Sequence, residues 1–202
     1  MSIEHRYKGM SRIELKKFRF VYDGVFSLKG FLGAFYSYLE SQDYCSRVDE
    51  KKFDEGFYLQ QDTAKGKNLQ IWWRVEKDWW LSPKKASMYR VDLNITIFVR
   101  GMKEVEFLKD GKKQKADKGE IEIELSGNRI VDPKGTWADH KWLKKHKDFI
   151  FETLFQKRND ASFGWVFGEI AGVHKFLKEY FRTPGSEGSR TMEEYGSKRP
   201  QE

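Results

Sequence analysis

The chain has one cysteine, Cys45, and four prolines in 202 residues. A lone cysteine forms no internal disulfide and fits a reducing compartment, so the expected location is cytoplasmic. Long apolar stretches are also missing. The longest, 161–173, is interrupted by Glu169 and falls short of the roughly 20 residues a transmembrane helix needs. Residues 1–14 contain no apolar segment of the kind a signal peptide carries. The four histidines, His5, His140, His146 and His174, form no HExxH, and no CxxC exists, so no metal is expected. GxSxG, Walker and GxGxxG patterns are absent too, which removes the nucleophile elbow and the usual phosphate cradles. No cofactor and no catalytic residue is assigned, and a non-enzymatic or at most weakly catalytic protein is expected.

What the chain has in quantity is charge and rings: 34% of residues are charged, 16% are aromatic, and the net charge is +7. That many aromatic groups excludes disorder over most of the length. The last twenty residues differ, with only Met192 and Tyr195 as sizeable apolar groups. Such a segment cannot offset the entropy of ordering. The expected organisation is therefore a flexible arm over 1–12, one α+β domain over 13–182, and a disordered tail over 183–202.

Periodicity assigns the elements of that domain. Ile13 and Leu15 lie on one strand phase and Phe18, Phe20 and Tyr22 on the other, which predicts a bulge or two short strands around Lys16–Lys17. Leu28, Phe31, Leu32, Phe35 and Leu39 form a helical stripe behind Ser27 as N-cap. From about residue 46 the period becomes two. Leu69, Ile71, Trp73 and Val75 alternate with polar residues, as do Leu93, Ile95 and Ile97, and then Ile121, Ile123 and Leu125. Asp110–Gly111 is a hairpin signal. These strands predict an antiparallel meander with one apolar face and one solvated face, the latter carrying Glu120, Glu122 and Glu124. Thr136 and Asp139 resemble a capping box, opening a helix over 138–158 with Trp142, Leu143, His146, Phe149, Ile150 and Leu154 as its stripe. Asn159–Asp160 reads as a junction to a second helix reaching Arg182, the lid over the sheet.

The order of strand, short helical insertion, antiparallel meander and long C-terminal helix resembles the START-like, or helix-grip, superfamily, with its polyketide cyclase-like and Bet v 1-like members. The likeness covers Ile13 to Arg182 and rests on element order. The glycine-rich loop of the plant members has no counterpart in Ala64-Lys65-Gly66-Lys67, and the paired C-terminal helices exceed the usual single one. The resemblance implies a curved antiparallel meander wrapped on a long C-terminal helix, with an apolar or amphipathic ligand held between them. Residues placed to line such a cavity are Trp73, Leu93, Ile95 and Ile97 on the strands. On the helix they are Phe167, Ile170 and His174, the last as the polar group orienting a ligand. Gly164, Gly168 and Gly172 recur every four residues, and their missing side chains allow either close packing on the sheet or room for a ligand.

A second reading comes from basic and aromatic clusters. Trp79 and Trp80 stand just before Lys84 and Lys85, and Lys112, Lys113 and Lys115 crowd one hairpin. Exposed rings beside lysines suit stacked bases or a membrane surface, so the alternative is a nucleic-acid-binding module or a peripheral membrane contact. Lysine-rich turns equally keep hairpins soluble, and the hairpin cluster lacks the arginine that grips phosphate bidentately. The sequence alone places the binding of a small ligand ahead of nucleic acid.

Overall fold

The computed structural model describes residues 11–15, 17–46, 56–79, 88–109, 112–135, 140–146 and 149–182. Seven antiparallel strands form one curved, unclosed sheet. They are β1 (Ser11–Glu14), β2 (Phe18–Phe26), β3 (Cys45–Ser46), β4 (Phe57–Thr63), β5 (Gly66–Asp78), β6 (Tyr89–Lys109) and β7 (Lys112–Val131). Helix α1 (Leu28–Ser41) follows β2, and a short α2 (Lys141–Lys145) and a π-helical turn (Ile150–Leu154) precede the long α3 (Gln156–Arg182). The architecture is α+β and compatible with a helix-grip arrangement. Strands β1 and β2 both pair with β7, while β3 and β4 both pair with β5.

The phase break near Lys16–Lys17 has a structural counterpart. Glu14 faces Asn128 and Phe18 faces Leu125, so four steps along the β1–β2 segment match three along β7. One extra residue is accommodated, and the apolar phase switches from odd to even numbers while remaining on one face. Strand β1 begins at Ser11, within the stretch expected to be a loose arm.

Rings fill the space between the sheet and the two helices. Phe35 stacks on Phe31 (5.5 Å) and Phe176 (5.6 Å) and meets Trp73 in a tilted pair (5.4 Å), and Phe31 meets Tyr180 and Phe181 at 5.4 and 5.1 Å. Below them lie Leu93, Ile95, Ile97, Ile121, Ile123 and Leu125, all buried. Helix α3 packs over Gly127 of β7. A Cβ there would stand 2.3 Å from Ile170 Cδ1, so the glycine is what allows that approach.

Helix α1 is held at both ends. Ser27 Oγ accepts from Gly30 N (3.2 Å) and Asp117 of β7 accepts from Leu28 N (3.0 Å), which satisfies two of the free donors of the first turn. At the other end Asp43 takes a left-handed φ of 61°. Asp43 N then reaches Glu40 O and Tyr44 N reaches Leu39 O, both at 3.0 Å. This Schellman turn directs Tyr44 inward.

The C-terminal helices differ from expectation. Helix α2 has five residues and is capped by His140, whose side chain accepts from Leu143 N at 3.4 Å. The expected box of Thr136 and Asp139 lies outside the described residues. Trp142, Phe149 and Leu154 are exposed, and of that stripe Ile150 is buried. Helix α3 runs through Asn159–Asp160 without a break. Asn159 is occupied as an acceptor for Arg129, and Ser162 Oγ donates to Asn159 O at 2.6 Å, so the pair has no need to terminate one helix and start another.

Candidate functional site

Among the described residues, three charged side chains gather on the inner face of this assembly toward the N-terminal half of α3. Lys77 continues the inward phase of Leu69, Ile71, Trp73 and Val75. Arg129 continues that of Ile121, Ile123, Leu125 and Gly127. Glu169 comes from α3 and accepts three hydrogen bonds: from Lys77 Nζ (2.7 Å), Trp165 Nε1 (2.9 Å) and Tyr44 Oη (3.0 Å). Lys77 also lies 5.3 Å from the Tyr44 ring centre. Burial, followed by the Glu169 charge, raises the Tyr44 phenol well above its ordinary value and pushes Tyr38 up to about 12. Both phenols therefore stay neutral, and Tyr44 remains a donor to Glu169.

Aromatic rings connect this carboxylate to the arginine. Trp165 stacks on Trp79 at 5.8 Å and 13°, and Trp79 meets Tyr89 at 5.4 Å. The Arg129 guanidinium lies 5.8 Å from the Tyr89 ring centre and 3.7 Å from that of Phe163. Its Nη1 donates to Asn159 O, Asn159 Oδ1 and Ser162 Oγ at 3.2, 2.9 and 2.8 Å. Arg129 is 2% exposed. Burial, outweighing the nearby Tyr89 and Asp160, lowers its pKa. One end of the sheet–helix interface is thus a polar and aromatic network; the other is packed with phenyl rings.

No model of a known protein family matches this chain, and no curated protein matches it in sequence.

The residues anticipated from sequence fall into three places. Trp73, Leu93, Ile95, Ile97 and Ile170 are buried between sheet and helix. Gly164, Phe167 and Gly168 are not: they are exposed, Phe167 at 54%, and a Cβ on either glycine would meet nothing within 4 Å. The buried face of α3 is Ser162, Val166, Ile170, Val173 and Leu177, and positions two residues from these turn outward at 100° per residue. Those glycines therefore supply neither room nor close approach beneath the helix. Gly172 is half-buried, 3.4 Å from the Tyr38 hydroxyl if a Cβ is built.

His174 occupies the seam between β2 and α3, 5.9 Å from Phe18 and 6.5 Å from Phe20 by ring centres. Burial and then Lys178 lower its pKa. Trp79 is tucked against Trp165 and Tyr89, not presented as a free rim. Trp80, Lys84 and Lys85 lie outside the described residues. The backbones of Lys112 and Lys113 pair with Lys109 and Leu108 near the hairpin tip. Lys115 is exposed and ion-paired with Glu104 at 2.5 Å.

The opposite face of the sheet is less solvated than its alternation implies. Glu122 is buried, bridging Arg19 and Arg100. The hydrogen bond from Arg19 outweighs desolvation and holds its carboxyl below the usual range. Glu124, two residues along the same strand, is exposed. A depression of about 170 Å³ on that face is lined by Leu59, Asn68, Gln70, Phe98 and Arg100 among others. It is smaller than the roughly 300–1,000 Å³ of small-molecule pockets. Among the described residues, no group of three or more His, Cys, Asp or Glu is arranged to hold a metal, and no helix is long and apolar enough to cross a membrane.

The sequence reading passed over Arg129, Lys77 and Glu169. A usable signal existed for the first two: each is a charged residue on the apolar phase of an alternating strand. Glu169 carried a weaker one, as the interruption of the longest apolar run.

Proposed function

We propose that this chain is a binding protein for a small amphipathic molecule, taken up between the sheet and α3 at the end where Arg129, Trp79, Trp165 and Glu169 meet. The observation that carries the reading is the asymmetry of that interface. A fold stabilised by apolar burial has no need of three charged groups on its inner face, since buried charge is costly even when paired. Ligand sites in proteins combine apolar and aromatic walls with a few converging polar groups, and this end of the interface has that composition. Membership of the START-like superfamily agrees with the element order, with the insertion of α1 between the two sheet edges, and with the placement of α3; it belongs to the proposal.

Less supports nucleic-acid binding. Arg19, Arg100 and Lys115 are each engaged with a carboxylate, which reduces their use as phosphate contacts. Native mass spectrometry of the gently purified full chain is the test, together with thermal shift against a panel of amphipathic and aromatic compounds. A bound small molecule or a saturable rise in Tm is expected. Neither appearing would overturn the reading.

A further inference from the structure

Arg129 is a buried cation whose polar partners are all neutral. Its hydrogen bonds go to a backbone carbonyl, a side-chain amide and a hydroxyl, and all leave from Nη1. Nε is buried with no acceptor, and among the described residues Arg129 makes no ion pair. The two other charges at this end of the inner face, Lys77 and Glu169, neutralise one another at 2.7 Å.

A buried charge is ordinarily paired, because removing it from water costs several kcal/mol. Arginine cannot escape that cost by losing its proton at any accessible pH. The stack on Phe163 and the Nη1 bonds hold the guanidinium plane in place while leaving its Nε/Nη2 edge without an acceptor among the described residues. That edge presents two parallel N–H donors, the spacing that fits two oxygens of a carboxylate or phosphate side by side.

Resting on the ligand-binding reading above, we propose that Arg129 is the anchor for an oxyanion head group, a carboxylate or phosphate, on the amphipathic ligand. The rings of Tyr89, Phe163, Trp79 and Trp165 flank the apolar part nearest that head. Asn159 and Ser162 are positioning residues, since their contacts orient the guanidinium and leave its second edge unused.

The test compares three probes of equal chain length, dodecanoate, dodecyl phosphate and dodecanol, by isothermal titration against the full chain. The parent is expected to bind at least one of the two anions about tenfold or more tightly than the alcohol, the scale of one charge-assisted bidentate contact. Which anion wins identifies the head group. Arg129→Gln should bring the preferred anion to the level of the alcohol while alcohol binding persists. Arg129→Lys keeps the charge without the two-donor edge and should lose most of the preference; it decides the matter if the glutamine variant does not fold, as checked by circular dichroism. Equal binding of all three probes by the parent overturns the role of Arg129 and leaves the binding reading standing. An anion preference that survives Arg129→Lys also overturns the role of Arg129. Failure of every probe to bind overturns both.

Discussion

The two halves of α3 cover the same side of the sheet with different chemistry. The C-terminal half, through Phe176, Tyr180 and Phe181, closes on Phe31, Phe35 and Phe26 in an unbroken cluster of rings. The N-terminal half closes on Arg129, Lys77, Tyr44 and Trp79 through Asn159, Ser162, Trp165 and Glu169. Non-directional burial tolerates many arrangements, whereas each charge in the second half needs its donors or acceptors in place. The packed half is what an α+β protein requires to stay folded; the polar half exceeds that requirement, which is why the proposed ligand site is placed there.

Phe35→Ala probes the packed half and should have the largest effect. Phe35 is fully buried and touches three other rings, so a loss of about 3–5 kcal/mol is expected in urea unfolding. A loss below about 1 kcal/mol would mean that this half is not the stabilising one. Glu169→Gln probes the polar half. It removes the charge facing Lys77 and weakens the three donors' shared acceptor, for an expected cost of about 1–3 kcal/mol. Trp165 fluorescence should change with it, because the indole donates to that carboxylate. A neutral result in both measurements would make the network dispensable. Gly168→Ala acts on the outward side of the same helix, where nothing stands within 4 Å of the new Cβ. It should stabilise the protein by up to about 1 kcal/mol through helix propensity alone. A destabilisation would show that this strip touches something after all, and would reopen the reading of the glycines as a packing surface.

The fold was legible because its signals are periodic. Alternation over Leu69–Val75, Leu93–Ile97 and Ile121–Leu125 specifies strands and which side of each faces inward, and the phase switch at Lys16–Lys17 specifies a bulge or a break into two short strands. The Asn159–Asp160 junction was misread because both residue types favour helix boundaries locally, while here Asn159 is held inside the helix by an arginine from a distant strand. The glycine series failed for a related reason. Spacing of four places residues on one strip of a helix without saying which way the strip faces. The glycine that permits close packing, Gly127, is on the sheet and belongs to no series. The site was the least legible part, because Arg129, Lys77 and Glu169 are far apart in the chain and each resembles an ordinary surface charge.

By itself, the amino-acid sequence determined α1, the alternation and inward face of β5, β6 and β7, the presence of a long closing helix, and the absence of the familiar catalytic and metal motifs. These follow from local backbone preference and from the period of apolar residues, which are properties of neighbours along the chain. Only the tertiary structure decided the rotation of α3, the continuity of that helix through Asn159, the burial of Glu122 between two arginines, and the meeting of Arg129 with Phe163 and of Lys77 with Glu169. Those outcomes depend on which groups share a buried space, where a missing partner or a missing Cβ matters because water is not there to replace it.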